Sequence, residues 1–187
     1  LLTPNLGWTN MPVRDRVAAA LGLPATLDND ANCAIFGEWW QGAARGVQHV
    51  VGLTIGTGIG GGIVINGRIY HGASDIAGEI GHMVLEVNGP KCGCGNKGCF
   101  EALASRTAIF RKIEAAVKDG QETLLTDMLG KDLQDMRSGD LRKAIRRGDK
   151  FVEKVIDEAA EYTGIACGNL INLFNPEIIV LGGGIID

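Results

Sequence analysis

Three cysteines and a histidine are the feature that most constrains how this chain can fold. The cysteines lie in the run Cys92-Gly93-Cys94-Gly95-Asn96-Lys97-Gly98-Cys99, and His82 lies ten residues before it. Three thiolates and one imidazole form a closed tetrahedral shell for Zn²⁺, and the glycines let the loop turn its thiols inward. Because four protein ligands leave no position for water, the predicted zinc is structural. The alternative is three unconnected thiols in a reactive loop, which is less typical of cysteines at this spacing.

The other two cysteines, Cys33 and Cys167, each lie in an apolar stretch with helical periodicity. We expect both to be buried as small apolar side chains. The total of five cysteines is odd, and 45% of the residues are hydrophobic, which is enough for an ordinary packed core. These two features disfavour a disulfide scaffold.

The chain is acidic, with a formal net charge of −4 over 187 residues. That charge gives this segment no electrostatic reason to bind nucleic acid. The apolar runs are too short to cross a bilayer, and no charged stretch followed by apolar residues opens the chain. We therefore expect a soluble, cytoplasmic protein without a membrane partner.

Both ends of the sequence are typical of a piece cut from a longer protein. The chain begins Leu1-Leu2-Thr3-Pro4 without an initiator Met, and it stops at Gly182-Gly183-Gly184-Ile185-Ile186-Asp187. An apolar strand followed by a glycine turn leaves backbone groups without partners. We expect further chain on both sides.

The apolar pattern predicts a mixed α/β fold, in which β-hairpins come first, a helical block follows and one strand returns. Asn66-Gly67 is a strong hairpin signal, and Asn175-Pro176 should end the last long helix. The predicted strands are residues 24–27, 50–55, 62–65, 68–70, 78–88 and 177–181. The predicted helices are residues 11–21, with Asn10 as N-cap, residues 31–44, and a helical block over residues 102–174 that breaks near Gly120, Gly130 and Gly148.

A glycine-rich run, Gly56-Thr57-Gly58-Ile59-Gly60-Gly61-Gly62, follows the predicted strand 50–55. Its glycines formally match the dinucleotide-binding pattern, but that pattern requires a helix after the turn. Here the chain continues as a strand, so the dinucleotide interpretation fails. A strand–turn–strand can still hold phosphate with backbone N–H groups, helped by the hydroxyl of Thr57. A tight hairpin in which glycine serves geometry alone is an equal alternative.

Carboxylates cluster at two further places. The run Asp28-Asn29-Asp30-Ala31-Asn32 precedes a helix, where capping is the plain interpretation, although two acids around one amide exceed what a cap needs. Glu79 and His82 lie close in sequence, and Glu101 lies two residues after Cys99. If zinc ties the loop down, these groups face one pocket that suits a polyol. The alternative is two surface glutamates and a histidine that only binds zinc.

In this order the motifs resemble the ROK family (repressors, open reading frames and kinases). The signature is carried by Gly78-Glu79-Ile80-Gly81-His82 followed by the cysteine run, Phe100 and Glu101. The resemblance extends from Pro4-Asn5-Leu6 to Gly182-Gly183-Gly184 and is weakest over residues 118–147. It implies an α/β, actin-like ATPase (ribonuclease H-like) lobe with a zinc-binding loop and a helical block. It further implies that residues 1–187 are mainly the C-terminal lobe of a sugar kinase, with 1–45 at the junction with an N-terminal lobe.

The resemblance also implies four sets of site residues, with ATP, Mg²⁺ and structural Zn²⁺ as cofactors. The catalytic base is Asp30. The contacts to a hexose are Asn29, Asp30, Glu79, His82 and Glu101. The zinc ligands are His82, Cys92, Cys94 and Cys99. The nucleotide contacts are Gly56, Thr57, Gly58 and Gly60 in a phosphate loop, and Gly182, Gly183 and Gly184 at the start of an adenosine-binding segment.

One departure from the family pattern matters. The Asp-x-Gly-Gly-Thr phosphate hairpin expected near the N-terminus is absent from this sequence, so we expect the chain alone to be inactive. A sugar-responsive repressor of the same family and a zinc-stabilised sugar-binding module are the alternatives to a kinase. Glucose is the first choice of substrate, and N-acetylmannosamine, N-acetylglucosamine and allose stay open. A homodimer is what the family suggests.

Overall fold

The computed structural model of the chain describes residues 2–3, 7–133 and 135–186. Pro4-Asn5-Leu6, where the resemblance begins, lies outside the described residues. Within the described part, the strands are β1 (Leu2–Thr3), β2 (Trp8–Thr9), β3 (Val50–Ile55), β4 (Ile59–Ile65), β5 (Arg68–Ile69) and β6 (Ile178–Gly182). The helices are α1 (Val13–Leu21), α2 (Asp30–Gln41), α3 (Phe100–Ala104), α4 (Arg106–Lys118), α5 (Leu124–Leu129), α6 (Ser138–Arg146) and α7 (Lys150–Phe174), with a 3₁₀ helix at Ile80–His82.

A four-stranded mixed sheet in the order β5-β4-β3-β6 forms the centre of the fold. β3 and β4 are antiparallel and pair from Val50↔Val64 to Ile55↔Ile59. β6 runs parallel to β3, with Val50 opposite Ile178, so the whole helical block forms the crossover between them. The predicted hairpin at Asn66-Gly67 is confirmed, because it joins β4 to the short strand β5. β1 and β2 pair separately as a small antiparallel ribbon.

Glycine in the sheet lets α2 lie directly on it. A side chain at Gly52 would place its Cβ 2.1 Å from Cδ1 of Ile35, which is fully buried on α2. The same isoleucine lies against Gly62 on the neighbouring strand, where the corresponding distance to its Cβ is 3.0 Å. Ile35 therefore fills the space that two missing side chains leave, and this packing fixes how α2 lies on the sheet.

The helical block packs on the other side of β3 and contributes most of the core. Phe100, Ile113, Val152 and Leu170 are all buried there together with Leu53 of the sheet. The block contains the breaks that its glycines predict, and α7 ends at Asn175, whose left-handed conformation (φ 42°) precedes Pro176. Among the described residues, no helix is both long enough and apolar enough to span a membrane.

The structure differs from the sequence prediction at two strands. Residues 24–27 are mostly exposed and form no strand, since no neighbouring strand is there to pair with them. The expected strand 78–88 is instead the 3₁₀ helix Ile80–His82 followed by a single bridge between Val84 and Cys99. The backbone at Gly81 packs so closely on β4 that a Cβ there would lie 2.1 Å from the Ile59 oxygen, which leaves no room for a paired strand.

The structure also differs from the prediction at four smaller points. β4 begins at Ile59 rather than at residue 62, because its glycines pair with β3 despite their low strand propensity. Asn10 has a φ of 51° and lies before Pro12, which is the residue that precedes α1. Cys33 is exposed, because α2 turns its Ala31, Asn32 and Ile35 face towards the sheet; Cys167 is half-buried.

Candidate functional site

A cleft of about 480 Å³ lies where the start of α2, the β3–β4 turn and the loop before the 3₁₀ helix meet. Most of the predicted substrate and nucleotide residues line it. They are Asn29, Asp30, Gly56, Thr57, Gly58, Gly60, Glu79, His82, Glu101 and Gly183. Of the remaining predicted residues, Gly182 and Gly184 flank Gly183 outside the lining, and the three cysteines of the predicted zinc site lie behind His82 and Glu101.

At the start of α2, two polar residues cap the helix end, and a third makes only one hydrogen bond to an adjacent residue. Asn29 caps the helix, because its Oδ1 accepts hydrogen bonds from the N–H of Ala31 at 2.8 Å and of Asn32 at 3.3 Å. Asp28 accepts from the N–H of Asn29 at 2.8 Å and from the Asn32 amide at 2.9 Å. Asp30 accepts only from the adjacent N–H of Ala31 within the described part of the chain. Asp28 and Asn29 therefore do the capping, and the Asp30 carboxylate remains available to a ligand.

The Glu101 carboxylate packs against the backbone of the β3–β4 turn. The N–H of Gly56 donates to the oxygen of Gly58 at 2.9 Å and closes the turn. The Glu101 Oε2 accepts from the N–H of Ile59 at 2.9 Å. A Cβ at Gly58 would lie 2.4 Å from that same oxygen, so glycine is what allows Glu101 to approach. Glu101 therefore joins the glycine turn to the cysteine loop, whose last residue precedes α3.

His82 faces both the cysteines and the cleft. Its Nδ1 lies 3.7 Å from the Cys92 sulfur, whereas its Nε2 lies 3.9 Å from the Glu79 carboxylate at the cleft. A neutral imidazole that binds a metal through Nδ1 carries its proton on Nε2. The two sequence assignments of His82, as metal ligand and as sugar contact, are therefore geometrically compatible, with the Nε2–H group free to donate a hydrogen bond on the cleft side.

The four predicted zinc ligands lie together. The ligand atoms of His82, Cys92, Cys94 and Cys99 are all within 4.8 Å of one another. The sulfurs of Cys94 and Cys99 are 3.7 Å apart, and tetrahedral Zn–S bonds of about 2.3 Å place two sulfurs about 3.8 Å apart. Burial and the neighbouring thiols raise the pKa of Cys99 to about 12, so a bound cation would favour the thiolate of Cys99 that metal binding needs. The donor set, spacing and charge fit a tetrahedral dication.

Sequence reasoning missed a polar pair beside the cleft. His71 Nε2 lies 2.7 Å from Oδ2 of Asp28. Partial burial opposes ionisation of Asp28, but hydrogen bonds from Asn32, His71 and Asn29 outweigh it and hold the pKa of that carboxyl below its usual value. The bond to Asp28 raises the pKa of His71, and Asp75 acts in the same direction. No local signal connects residues 28 and 71, because only the tertiary fold brings them together.

The sequence as a whole matches the ROK family profile over residues 1–187. The chain belongs to the ROK family. A glucokinase of Thermotoga maritima is 42% identical to it over 184 residues, which are 98% of this chain and 58% of that enzyme. This ROK chain thus spans little more than half the length of that relative.

The solved ROK structures that match this chain include both enzymes and regulators. A glucokinase from Streptomyces griseus, solved in complex with glucose and AMPPNP, is 34% identical with a TM-score of 0.84, covering 99% of this chain and 60% of its own. A ROK transcriptional regulator, homologous to the MLC protein of E. coli, is 33% identical with a TM-score of 0.87, covering 100% and 46%. The predicted α/β, actin-like ATPase fold is confirmed, and both classes of ROK protein share it.

Proposed function

We propose that this chain is mainly the C-terminal lobe of a longer ATP-dependent hexose kinase. Residues 1–45 lie at the junction with an N-terminal lobe, and the chain by itself has little or no activity. The observation that carries the proposal is the composition of one cleft. Asp30 lies there with a glycine turn that suits phosphate and with three side chains that suit sugar hydroxyls.

In this mechanism Asp30 is the general base. Its carboxylate accepts the proton of a sugar hydroxyl, the 6-OH in our proposal, as that oxygen attacks the γ-phosphorus of ATP. A new oxygen–phosphorus bond forms, the bond to the β-phosphate oxygen breaks, and ADP leaves. Phosphoryl transfer depends mainly on positioning and on charge stabilisation, which makes the placement of Asp30 beside the glycine turn decisive.

The sugar is held by groups that surround Asp30. Glu79 and Glu101 accept hydrogen bonds from hydroxyls, His82 donates through Nε2, and the Asn29 amide nitrogen is left free by its capping role. Zinc bound by His82 and the three cysteines would fix the loop that carries Glu101. Its contribution is structural, since four protein ligands fill its coordination shell.

The nucleotide is held by the two glycine segments. The backbone of Gly56, Gly58 and Gly60 and the hydroxyl of Thr57 bind its phosphates, and the segment from Gly182 to Gly184 binds adenosine. Mg²⁺ supplies neutralisation of the phosphate charge when it is bound with ATP. Glucose is the proposed sugar, as in the kinase relatives. N-acetylmannosamine, N-acetylglucosamine and allose are the other candidates.

A sugar-responsive transcriptional regulator is the second candidate, because a ROK regulator superposes on the whole chain. In that case DNA would be bound by another part of the protein. The start of α2 and the glycine turn favour the kinase. A regulator needs neither an Asp30 carboxylate that is free of helix capping nor a phosphate loop.

The test is sugar-dependent ADP release by the full-length protein with glucose, N-acetylglucosamine and N-acetylmannosamine. We expect Asp30→Ala to lower kcat by about 10²–10⁴-fold, with sugar affinity and melting temperature little changed. Asp15→Ala is the matched control, because Asp15 is an exposed acid of α1 paired with Arg14.

Two results would contradict the proposal. Sugar binding without ADP release from the unaltered protein would favour the regulator or the binding module. Full turnover by Asp30→Ala would place the base on another residue.

A further inference from the structure

α4 begins against the glycine turn and is bonded to it through three contacts. The N–H of Arg106 donates to the Gly56 oxygen at 2.9 Å. The Arg106 guanidinium donates through Nη2 to the hydroxyl of Thr57. The hydroxyl of Thr107 donates to the Thr57 carbonyl oxygen at 2.7 Å. The first residues of α4 therefore hold Thr57 in place in the β3–β4 turn.

The same guanidinium also reaches the second glycine segment. A Cβ at Gly184 would lie 3.9 Å from Nη1 of Arg106. Arg106 thus lies between the turn at Gly56 and the segment from Gly182 to Gly184. These are the two segments to which the proposed function assigns the nucleotide.

Arg106 carries a positive charge beside the β3–β4 turn. Within the described ranges, no carboxylate forms an ion pair with this guanidinium. A second cleft of about 630 Å³ extends from Thr57 and Arg106 and is also lined by Arg137 and the hydroxyl-bearing Ser138, without any acidic side chain among its described lining. Two arginines in a cleft whose described lining includes no carboxylate, next to hydroxyls and backbone amides, suit an anion with several oxygens.

The geometry points to Arg106 as a binding residue for the terminal phosphates of the phosphoryl donor. Its planar guanidinium turns from the Thr57 hydroxyl to phosphate oxygens, and the released hydroxyl of Thr57 bonds the same phosphate chain. This inference rests on the proposed kinase function, because it requires a nucleotide at the two glycine segments. It adds a cationic side chain to a site whose predicted phosphate contacts are otherwise backbone groups and one hydroxyl.

The experiment measures the KM for ATP and the Kd for ATP and AMP with full-length Arg106→Ala and Arg106→Lys. We expect Arg106→Ala to raise both ATP constants by about tenfold or more, since a charge-assisted hydrogen bond is lost. Lysine keeps the positive charge but lacks the paired N–H donors of the guanidinium, so Arg106→Lys should give intermediate ATP constants. AMP lacks the terminal phosphates, so its Kd should not change, nor should the KM for sugar.

Arg146→Ala is the matched control, because it removes an exposed arginine at the far end of α6. The inference is overturned if Arg106→Ala leaves ATP binding unchanged, or if it weakens AMP and sugar binding as much as ATP binding, which is what a purely structural arginine would do. If Arg106→Ala does not fold, Arg106→Gln and the lysine variant decide by the same ratio of ATP to AMP affinity. An unaltered protein that releases no ADP would instead refute the kinase itself.

Discussion

Two glycine-rich segments position the site, and they are held in different ways: the β3–β4 turn lines the cleft, and the cysteine loop lies behind His82 and Glu101. The turn between β3 and β4 directly joins two hydrogen-bonded antiparallel strands, in which Leu53, Ile55 and Ile63 are buried. The cysteine loop has no strand of its own among the described residues. It has an isolated bridge at Lys91↔Lys97, and its buried cluster consists of Cys92, Cys99 and Ala102.

This difference separates two sources of order. Apolar burial and backbone hydrogen bonds stabilise the turn whether or not a ligand is present. The loop has a few backbone hydrogen bonds and a small buried cluster, so we expect its order to depend on a bound metal. Glu101 bonds to both segments, and loss of the metal should therefore affect the proposed sugar contacts Glu101 and His82 before it affects the β3–β4 turn.

The largest expected effect comes from removing one zinc ligand. Cys94→Ser should lower zinc affinity by at least about 100-fold, because three ligands remain. Hydrogen exchange should accelerate over residues 92–99 and stay slow over 50–65, and the KM for sugar should rise. Metal analysis and exchange mass spectrometry measure these changes.

Cys33→Ser is the control for that comparison, since Cys33 is also exposed but lies outside the cluster. It should keep zinc and activity. Zinc retained by Cys94→Ser, or an equal loss of protection in the β3–β4 hairpin, would show that the turn and the cysteine loop do not differ in their dependence on metal.

A second substitution tests the contact between β4 and the 3₁₀ helix Ile80–His82, with a substitution in the cysteine loop for comparison. Gly81→Ala places a Cβ 2.1 Å from the backbone oxygen of Ile59, which cannot move without disturbing β4. We expect the free energy of unfolding to fall by about 2–3 kcal/mol. Gly93→Ala, in the cysteine loop, meets nothing within 4 Å and should change it by less than about 0.5 kcal/mol. Urea unfolding at fixed zinc concentration measures both, and equal effects would contradict the packing described at Gly81.

The smallest expected effect is the pH dependence of the Asp28–His71 pair. The raised pKa of His71 gives stability that is present at low pH and is lost as pH rises through that pKa. The lowered pKa of Asp28 gives stability that is lost as pH falls through it. The pair should therefore stabilise most between roughly pH 4 and 6.5.

Thermal melts of His71→Gln against the unaltered protein check this expectation. The melting temperature should differ by less than about 3 °C near pH 5 and by less still at pH 8, since exposed pairs contribute little. Asp28→Asn keeps an oxygen for the cap, and in that background His71→Gln should not change the pH profile. A difference that grows at high pH would have the wrong sign.

Much of the fold was predictable where the pattern is local. The apolar run at residues 50–55 located β3, turn chemistry located the Asn66-Gly67 hairpin and the end of α7, and spacing alone located the cysteine cluster. The residues of the cleft were also predicted as a group from their family signature, although their roles stay predictions. These elements depend on neighbours in sequence, which is why sequence reasoning reached them.

What failed depends on contacts between distant residues. The strand expected around Gly81 does not form because β4 lies against that backbone, and Cys33 is exposed because Ile35 sets which face of α2 is buried. His71 and Arg106 were missed for the same reason. Each becomes notable only through a partner 43 or 49 residues away, Asp28 or Thr57 respectively.

The parallel pairing of β3 with β6 affects how the chain is made in the cell. Val50 pairs with Ile178, and the Glu177 side chain accepts from the N–H of His49, 128 residues earlier. At ribosomal speeds that interval takes on the order of ten seconds. Throughout it, the β3–β4 hairpin can form, but the other edge of β3 stays unpaired and apolar, which is the kind of edge that aggregates. Nascent chains that stall within the helical block should therefore depend on chaperones more than released ones.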